Sequence, residues 1–424
     1  MAQPKVGPSL KVGPGLVAGV MSGTLLEWYD AFLFVVAATY VGAAFFPSKN
    51  PLAELASVFL AFFLGYLARP IGALLFGYIG DRYGRRQAMF WTLTLAGLAT
   101  ALIGAVPSYS AWGSAAIITV VALRLLQGLA LGGEWGSAVN YLFENVKRRR
   151  LFMLFVQSGV PLGLLLAAAV MLGLTVALGN DAVAAWGWRI AFLLSLIIAI
   201  IGILFRIRFG ETIEYLEARR AVAKPENPIG GVFLRHWAPL LVGIFLAGAA
   251  GAVFYYGNTF LPNVAGAINL VSAAEKFTII ILFAVLDLVG VIISGFFAER
   301  LGNVVPIAVG FVMFIIAALL VEQGLSNAAV LTALVALTGL AHGIVYTPEA
   351  AYLAEIFPTL VRNTGVSSAY QIGNTVLAST APYIMTVILP YGRIWAGVYL
   401  AALALIGLLG VVAYRPRGLS TAGT

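Results

Sequence analysis

The sequence predicts an all-helical integral membrane protein, twelve transmembrane helices in two six-helix repeats, and three observations carry that reading. Of the 424 residues 61% are hydrophobic and only 10% charged, with a mean hydropathy of +0.99. Apolar runs of twenty or more recur along the chain, so lipid is the solvent for most of it. The basic residues gather in short segments on one side of the spans, and a pattern in the first half returns in the second at offsets of 211 to 218.

Each span is an apolar run broken by Pro, Gly or a cluster of charge. Spans are expected at 16–46, 52–80, 88–106, 114–144, 151–178, 188–208, 236–263, 272–298, 304–321, 327–356, 364–389 and 392–414. With the N-terminus on the cytoplasmic side, 19 of the 25 lysines and arginines fall in cytoplasmic segments, among them Lys147 to Arg150 and Arg219, Arg220 and Lys224. Lys49, Arg189, Lys276 and Arg393 face the other way. The positive-inside rule therefore supports both the count and an orientation with both termini cytoplasmic, in a cell membrane. It also accounts for the formal net charge of +8 without a nucleic-acid partner, because the charge lies in short loops rather than on one folded face. The first fifteen residues, with Lys5 and Lys11, resemble a signal-peptide start, but Glu27 and Asp30 interrupt the apolar stretch that follows, so no cleavable leader is expected. The absence of cysteine excludes disulfides, thiolate catalysis and thiolate-bound metals.

The repeat is legible in short motifs. GYIGDRYGRR at 77–86 is echoed by GFFAERLGN at 295–303, an offset of 218. Gly128-Leu129-Ala130-x-Gly132 and Tyr141-Leu142-x-Glu144 match Gly339-Leu340-Ala341-x-Gly343 and Tyr352-Leu353-x-Glu355 at an offset of 211, and Gln157-x-Gly159 matches Gln371-x-Gly373. The chain thus divides into a six-helix half (1–208), a charged cytoplasmic linker (209–235) and a second six-helix half (236–424). Parallel halves of this kind are expected to rock about a site near mid-membrane.

These residues, with EWYD at 27–30, ARPIGALLFGYIGDRYGRR at 68–86, RLLQGLALGGEWG at 124–136, WGWRIAF at 186–192 and EIFPTLVRNTG at 355–365, resemble the major facilitator superfamily. Within it they are most similar to the metabolite:proton symporters that carry α-ketoglutarate, shikimate, citrate and proline or betaine. The resemblance spans essentially the whole chain. It implies the major facilitator fold with a central cavity, and proton-coupled import of a small organic acid by a rocker-switch cycle. A zwitterionic osmolyte is the alternative cargo and a drug:proton antiporter a weaker one, since the fifth span reads SGVPLG at 158–163 rather than a GPxxGG pattern. No cofactor or metal is implied, and the working unit is expected to be a monomer in lipid with its substrate and protons as partners.

Charges deep in the membrane cost about 2.5–3.5 kcal/mol each even on an insertion scale, so they face a cavity, pair, or move protons. The sequence places Glu27, Asp30, Arg69, Arg124, Glu134, Asp287, His342 and Glu349 there. Asp30 and Arg124 both fall near the midplane at about 1.5 Å of rise per residue, and the resemblance to sugar porters implies that they face each other as the proton site. Glu27 and Glu134 are further proton-coupling candidates. Arg124, Trp28, Tyr29, Tyr255, Tyr256, Asn258, His342 and Gln371 are the candidate substrate contacts, with Trp135 and Tyr346 as further aromatic walls and Pro262 and Pro382 as bends. Arg69 and Asp287 occupy equivalent positions at the 218-residue offset. Gly77, Asp81, Arg82, Gly84, Arg85, Arg86, Glu144, Glu299, Arg300 and Glu355 are the candidate cytoplasmic gate, with Arg85 or Arg86 meeting Glu144, Arg300 meeting Glu355, and Asp81 capping span 11. A catalytic reading finds no support: there is no phosphate-binding loop or metal-ligand spacing, and His236 and His342 lie on different helices.

Overall fold

The computed structural model describes residues 25, 27–83, 85–132, 134–208, 230–359 and 361–414, without the side chains at 77, 78, 80–83, 85–89, 134, 137, 138, 141, 145 and 202–208. Each of the twelve expected spans contains a helix. Among the described residues eight are long and apolar enough to cross a bilayer, a ninth is a bent pair, and three are shorter apolar helices. In chain order they are α1 (Glu27–Val36 and Ala38–Phe45), α2 (Pro51–Leu67 and Arg69–Tyr83), α3 (Arg85–Ala105), α4 (Ser114–Ala130, then Glu134–Asn145), α5 (Arg149–Gln157 and Gly159–Leu178) and α6 (Trp188–Arg208). The second set comprises α7 (Trp237–Tyr255, Tyr256–Phe260 and Leu261–Ala267), α8 (Ala273–Leu301), α9 (Val304–Leu319), α10 (Ala328–Ile356), α11 (Arg362–Gly373, Asn374–Ala378 and Ala381–Ile388) and α12 (Arg393–Ala413). Residues 209–229 of the expected linker lie outside the described residues, and Gly231–Arg235 forms one wide helical turn before α7.

Helix ends are set locally. Asn50 caps α2 ahead of Pro51, Asn327 caps α10 through the amides of Ala329 and Val330, and Ser272 with Glu275 forms a reciprocal capping box on α8. Interior breaks follow proline. Pro262 and Pro382 each deny an amide to the carbonyl four residues earlier, and the helix widens into a π turn just ahead of each, at Tyr256–Phe260 and Asn374–Ala378. Pro70 likewise frees the Tyr66 carbonyl beside the turn at Ala68, and the Thr375 hydroxyl of α11 donates to it at 3.4 Å. The 63° bend of α1 lies beside the Val35 carbonyl, which accepts from Asn263 Nδ2 at 3.0 Å, a side-chain intrusion of the sort that kinks helices.

The sequence repeat is repeated as contact. A Cβ on Gly128 would lie 1.8 Å from the Gly65 carbonyl oxygen and one on Gly132 2.0 Å from that of Arg69, while Gly72 presses back on Leu129 at 1.9 Å. At the equivalent places Gly339 meets Phe283 at 2.6 Å, Gly343 meets Asp287 at 2.1 Å and Gly290 meets Leu340 at 2.7 Å. So α2 lies on α4 as α8 lies on α10, backbone against backbone, because small residues allow that approach where lipid supplies no hydrophobic drive. α3 packs on α6 and α9 on α12, with Leu98, Ile197, Val312 and Leu409 among the large apolar side chains turned outward. The two sets of six meet along α5 against α8 and α2 against α11.

Replacing Gly343 by Ala would force α10 away from α8 at an unyielding carbonyl. Such overpacking costs about 1–3 kcal/mol. Thermal unfolding of purified Gly343→Ala in detergent should therefore fall by several degrees, whereas Gly173→Ala, where a Cβ meets nothing within 4 Å, should unfold as the parent does.

Candidate functional site

A cavity lies between the two sets of helices. Trp28 and Phe32 of α1 and Val160 of α5 line it from one side. Ala247, Gly251, Phe254 and Tyr255 of α7, His342, Tyr346 and Glu349 of α10, and Tyr370 and Asn374 of α11 line it from the other. The π turns matter here. Tyr255 stands immediately before one and Asn374 opens the other, so both wall residues sit where the helix radius changes.

The wall is aromatic and bonded to itself. Trp28 stacks on Phe32 with centroids 5.0 Å apart, Phe254 packs on the His342 ring at 4.8 Å, and His342 packs on Tyr346 at 4.7 Å. Tyr346 and Tyr370 share a hydroxyl hydrogen bond of 3.1 Å, and the Tyr66 and Tyr255 hydroxyls bond across the seam between the two sets. His342 Nδ1 is 2.8 Å from Asp287 Oδ1, both side chains buried, while Asp287 Oδ2 has no partner. Glu349 is 1% exposed, and among the described residues neither carboxylate oxygen has a hydrogen-bond partner.

Behind Tyr255 lies Arg124. Its guanidinium sits over the rings of Phe34 at 4.4 Å and Phe62 at 5.2 Å, and Phe62 packs on both Tyr66 and Tyr255. The expected direct pairing with Asp30 is not formed. Arg124 instead donates to Gln127 Oε1, and Gln127 Nε2 donates to the Asp30 backbone carbonyl at 2.8 Å and to Thr100 Oγ1 at 2.7 Å. Gln127 lies three residues beyond Arg124, on the same face of α4, and so intercepts the charge before it reaches α1. Among the described residues Asp30 Oδ1 is buried without a hydrogen-bond partner. Arg69 lies over Tyr66 at 3.7 Å and Trp28 at 5.6 Å.

The other sequence candidates scatter. Tyr29 donates to the Ala191 carbonyl at 2.7 Å and ties α1 to α6, Tyr256 packs between Phe260 and Phe314, and Asn258 donates to the Phe254 carbonyl within its own helix. None of the three lines the cavity. Glu27 opens the first described helix of α1, and the Glu134 side chain lies outside the described residues. Glu349 and Tyr370 are among the wall residues that the list of expected contacts lacked. Glu349 carried a signal as a deep acid, but its direction could not be read from a buried helix that is apolar all round.

Contacts between the two sets cross at each end of the cavity. Toward the basic loops, Trp135 stacks on Tyr370 and donates to Gln157 Oε1 at 2.9 Å, Gln157 donates to the Tyr346 carbonyl at 2.8 Å, and Gln371 donates to the Gly132 carbonyl at 2.7 Å. Beyond them are two ion pairs, Arg150 Nε to Glu355 Oε1 at 2.9 Å and Arg362 to Glu144 Oε1 at 2.8 Å. Glu355 thus takes Arg150 rather than Arg300, and Glu144 pairs with Arg362. Each bridge joins the two sets instead of closing within one, because α5 and α11 start beside the ends of α10 and α4. Glu299 accepts from the Leu151 amide at 3.2 Å and so caps α5. Asp81, Arg82, Arg85 and Arg86, with Gly77 and Gly84, fall outside the described side chains and residues. At the opposite end Lys276 Nζ donates to Thr39 Oγ1 at 2.8 Å and Asn263 ties α7 to α1.

Among known proteins, the sugar (and other) transporter family profile matches residues 16–227. The inner membrane metabolite transport protein YhjE of Escherichia coli is 32% identical over 94% of this chain and 92% of its own. The citrate-proton symporter of Klebsiella pneumoniae is 30% identical over 93% and 90%. The crystal structure of a D-xylose-proton symporter superposes with a TM-score of 0.69 at 18% identity, covering 94% of this chain and 96% of that one, which shows the shared fold. Three independent likenesses, to a profile, to relatives and to a fold, converge on one conclusion: the chain belongs to the sugar (and other) transporter family, a major facilitator transporter and not an enzyme.

Proposed function

We propose that this protein is a proton-coupled symporter that imports a small organic acid by alternating access, working as a monomer with its basic-loop face and both termini in the cytoplasm. The observation that carries the reading is Arg124. It is 3% exposed in the membrane interior, yet its charge is met by the Gln127 amide and two ring faces, and no ion pair joins it to a described acid. A buried cation lacking its counter-ion is costly, and a substrate carboxylate arriving past Tyr255 would supply one. The citrate-proton symporter among the relatives supports the same chemistry.

Two six-helix halves, 1–208 and 236–424 joined by 209–235, are the rocking bodies in this reading. The Arg150–Glu355 and Arg362–Glu144 bridges latch their cytoplasmic edge, and the Lys276 and Asn263 contacts close the outer edge. Asp30 is the proposed proton carrier: its unpartnered Oδ1 is free to take a proton, and its backbone is tied through Gln127 to the Arg124 that receives the substrate. Loading at Arg124 draws on the Gln127 bond and so alters the surroundings of Asp30, which links the two events.

Arg124→Gln should lower uptake into proteoliposomes by about 30-fold or more, the equivalent of about 2 kcal/mol, with unchanged thermal unfolding. Normal uptake would remove Arg124 from the site. In Asp30→Asn, accumulation driven by a pH gradient should vanish while exchange of internal for external substrate persists; a variant that still concentrates substrate would move the coupling elsewhere. The latch is tested with a cysteine reporter, Asn374→Cys, in the cysteine-free chain. Adding Glu144→Gln and Glu355→Gln should speed its labelling from the cytoplasmic face by about fivefold, since two partly exposed bridges together contribute about 1 kcal/mol. Equal labelling rates would mean that the bridges do not hold the gate.

A further inference from the structure

Arg124 accounts for one anionic group, and a second arginine is buried behind the same wall. Arg69 is also 3% exposed, and its Nε, like that of Arg124, has no hydrogen-bond partner among the described residues. No described acid forms an ion pair with either. Both rest on rings instead, Arg69 over Tyr66 at 3.7 Å and Arg124 over Phe62 at 5.2 Å. Phe62 and Tyr66 are one turn apart on α2 with centroids separated by 5.0 Å, so the two guanidiniums lie on neighbouring rings of one helix face. The repeat supplies a contrast: at the position equivalent to Arg69, Asp287 is bonded to His342 at 2.8 Å.

A buried carboxyl escapes the cost of its charge by taking up a proton, but a guanidinium has no such route, because it stays protonated in proteins. Ring faces attract a cation without neutralising it. Two adjacent cations in the membrane interior therefore repel each other and lack a counter-charge, an arrangement that an incoming anion relieves. Both are one ring away from the cavity. Trp28, on which Arg69 also lies at 5.6 Å, lines the cavity, as does Tyr255, whose ring packs on both Phe62 and Tyr66.

We infer that Arg69 and Arg124 form a single anion site, in which Arg69 is the second guanidinium that receives the carboxylate of the transported acid. The inference rests on the carrier reading above and adds to it a binding residue on α2. A planar fork from each of two helices fixes the direction in which a carboxylate is held, which one arginine alone does not.

The deciding experiment compares purified Arg69→Gln, Arg69→Lys and Arg124→Gln with the parent protein. Binding of citrate, succinate, lactate and benzoate is read from the rise in unfolding temperature as each is titrated, and transport from uptake into proteoliposomes under a pH gradient. In the parent at least one of these acids should bind. Arg69→Gln should weaken its binding about tenfold or more, while the ligand-free variant unfolds no lower than the parent because one of two repelling cations has been removed. Arg69→Lys keeps the charge and loses the fork, so it should bind the acid more tightly than Arg69→Gln and less tightly than the parent. If Arg69→Gln binds every acid as the parent does, the inference fails; loss of binding in Arg124→Gln would then leave the carrier reading standing on one arginine. If ligand-free Arg69→Gln unfolds several degrees below the parent, or does not fold, Arg69 is a packing group and the inference fails likewise. Arg69→Lys binding no better than Arg69→Gln would overturn it too, since the charge would then be irrelevant to the site. If no acid binds the parent or moves on the pH gradient, the organic-acid reading itself falls and takes the inference with it.

Discussion

The interior of this protein depends on how closely two pairs of helices approach. At the α2–α4 and α8–α10 contacts a glycine on one helix faces a backbone carbonyl on the other, at separations that no Cβ could occupy. In lipid, apolar burial does not distinguish a partner helix from an acyl chain, so close packing of this kind is what holds a helix pair in one register. Register is also what aims the charges. Gly132 rests on the Arg69 carbonyl and Gly343 on that of Asp287, so the two equivalent charged positions are each held by a glycine of the partner helix. Arg69 then leans on Tyr66 and Trp28, and Asp287 reaches His342.

Proline acts on the same interior by a different route. Where Pro262 and Pro382 interrupt the ladder, the helix dilates ahead of them, and the residues at the dilation belong to the cavity wall or its supports. A carbonyl released in this way must find another donor, and the Tyr66 carbonyl finds Thr375 across the seam. Breaks in the backbone therefore do two jobs here. They shape the cavity, and they provide hydrogen-bonding groups through which the two sets of helices touch without forming a permanent ion pair near the membrane centre.

The ends of the molecule are built from stronger and weaker versions of that contact. At the basic-loop face the two sets are joined by carboxylate–guanidinium bridges reinforced by a carboxylate at the start of α5. At the opposite face a buried lysine is satisfied by a hydroxyl, an amide oxygen and the rings of Tyr40 and Phe277. Charge-assisted pairs are stronger than bonds from an ammonium to neutral acceptors. The two closures therefore differ in kind as well as in position.

Much of the architecture was legible in the sequence, because the properties that encode it are local and periodic. Apolar length located the spans, the motifs at offsets of 211 and 218 marked a repeat whose helix contacts recur in the structure, and Pro262 and Pro382, expected as bends, each follow a widened π turn. His342, Trp28 and Tyr255, all expected as substrate contacts, line the cavity, and Arg124, expected there too, lies behind it. Direction was harder. A helix buried on all sides has no polar face to show which way a residue turns, so Tyr29, Tyr256 and Asn258 looked like wall residues and are packing contacts, while Glu349 looked like one deep acid among several and stands unpartnered at the cavity. Pairing was hardest. Whether Arg124 meets Asp30 or Gln127, and whether Glu355 meets Arg300 or Arg150, depends on which side chain comes within about 3 Å. That distance is set by the packing of helices far apart in sequence, so only the tertiary structure could decide it.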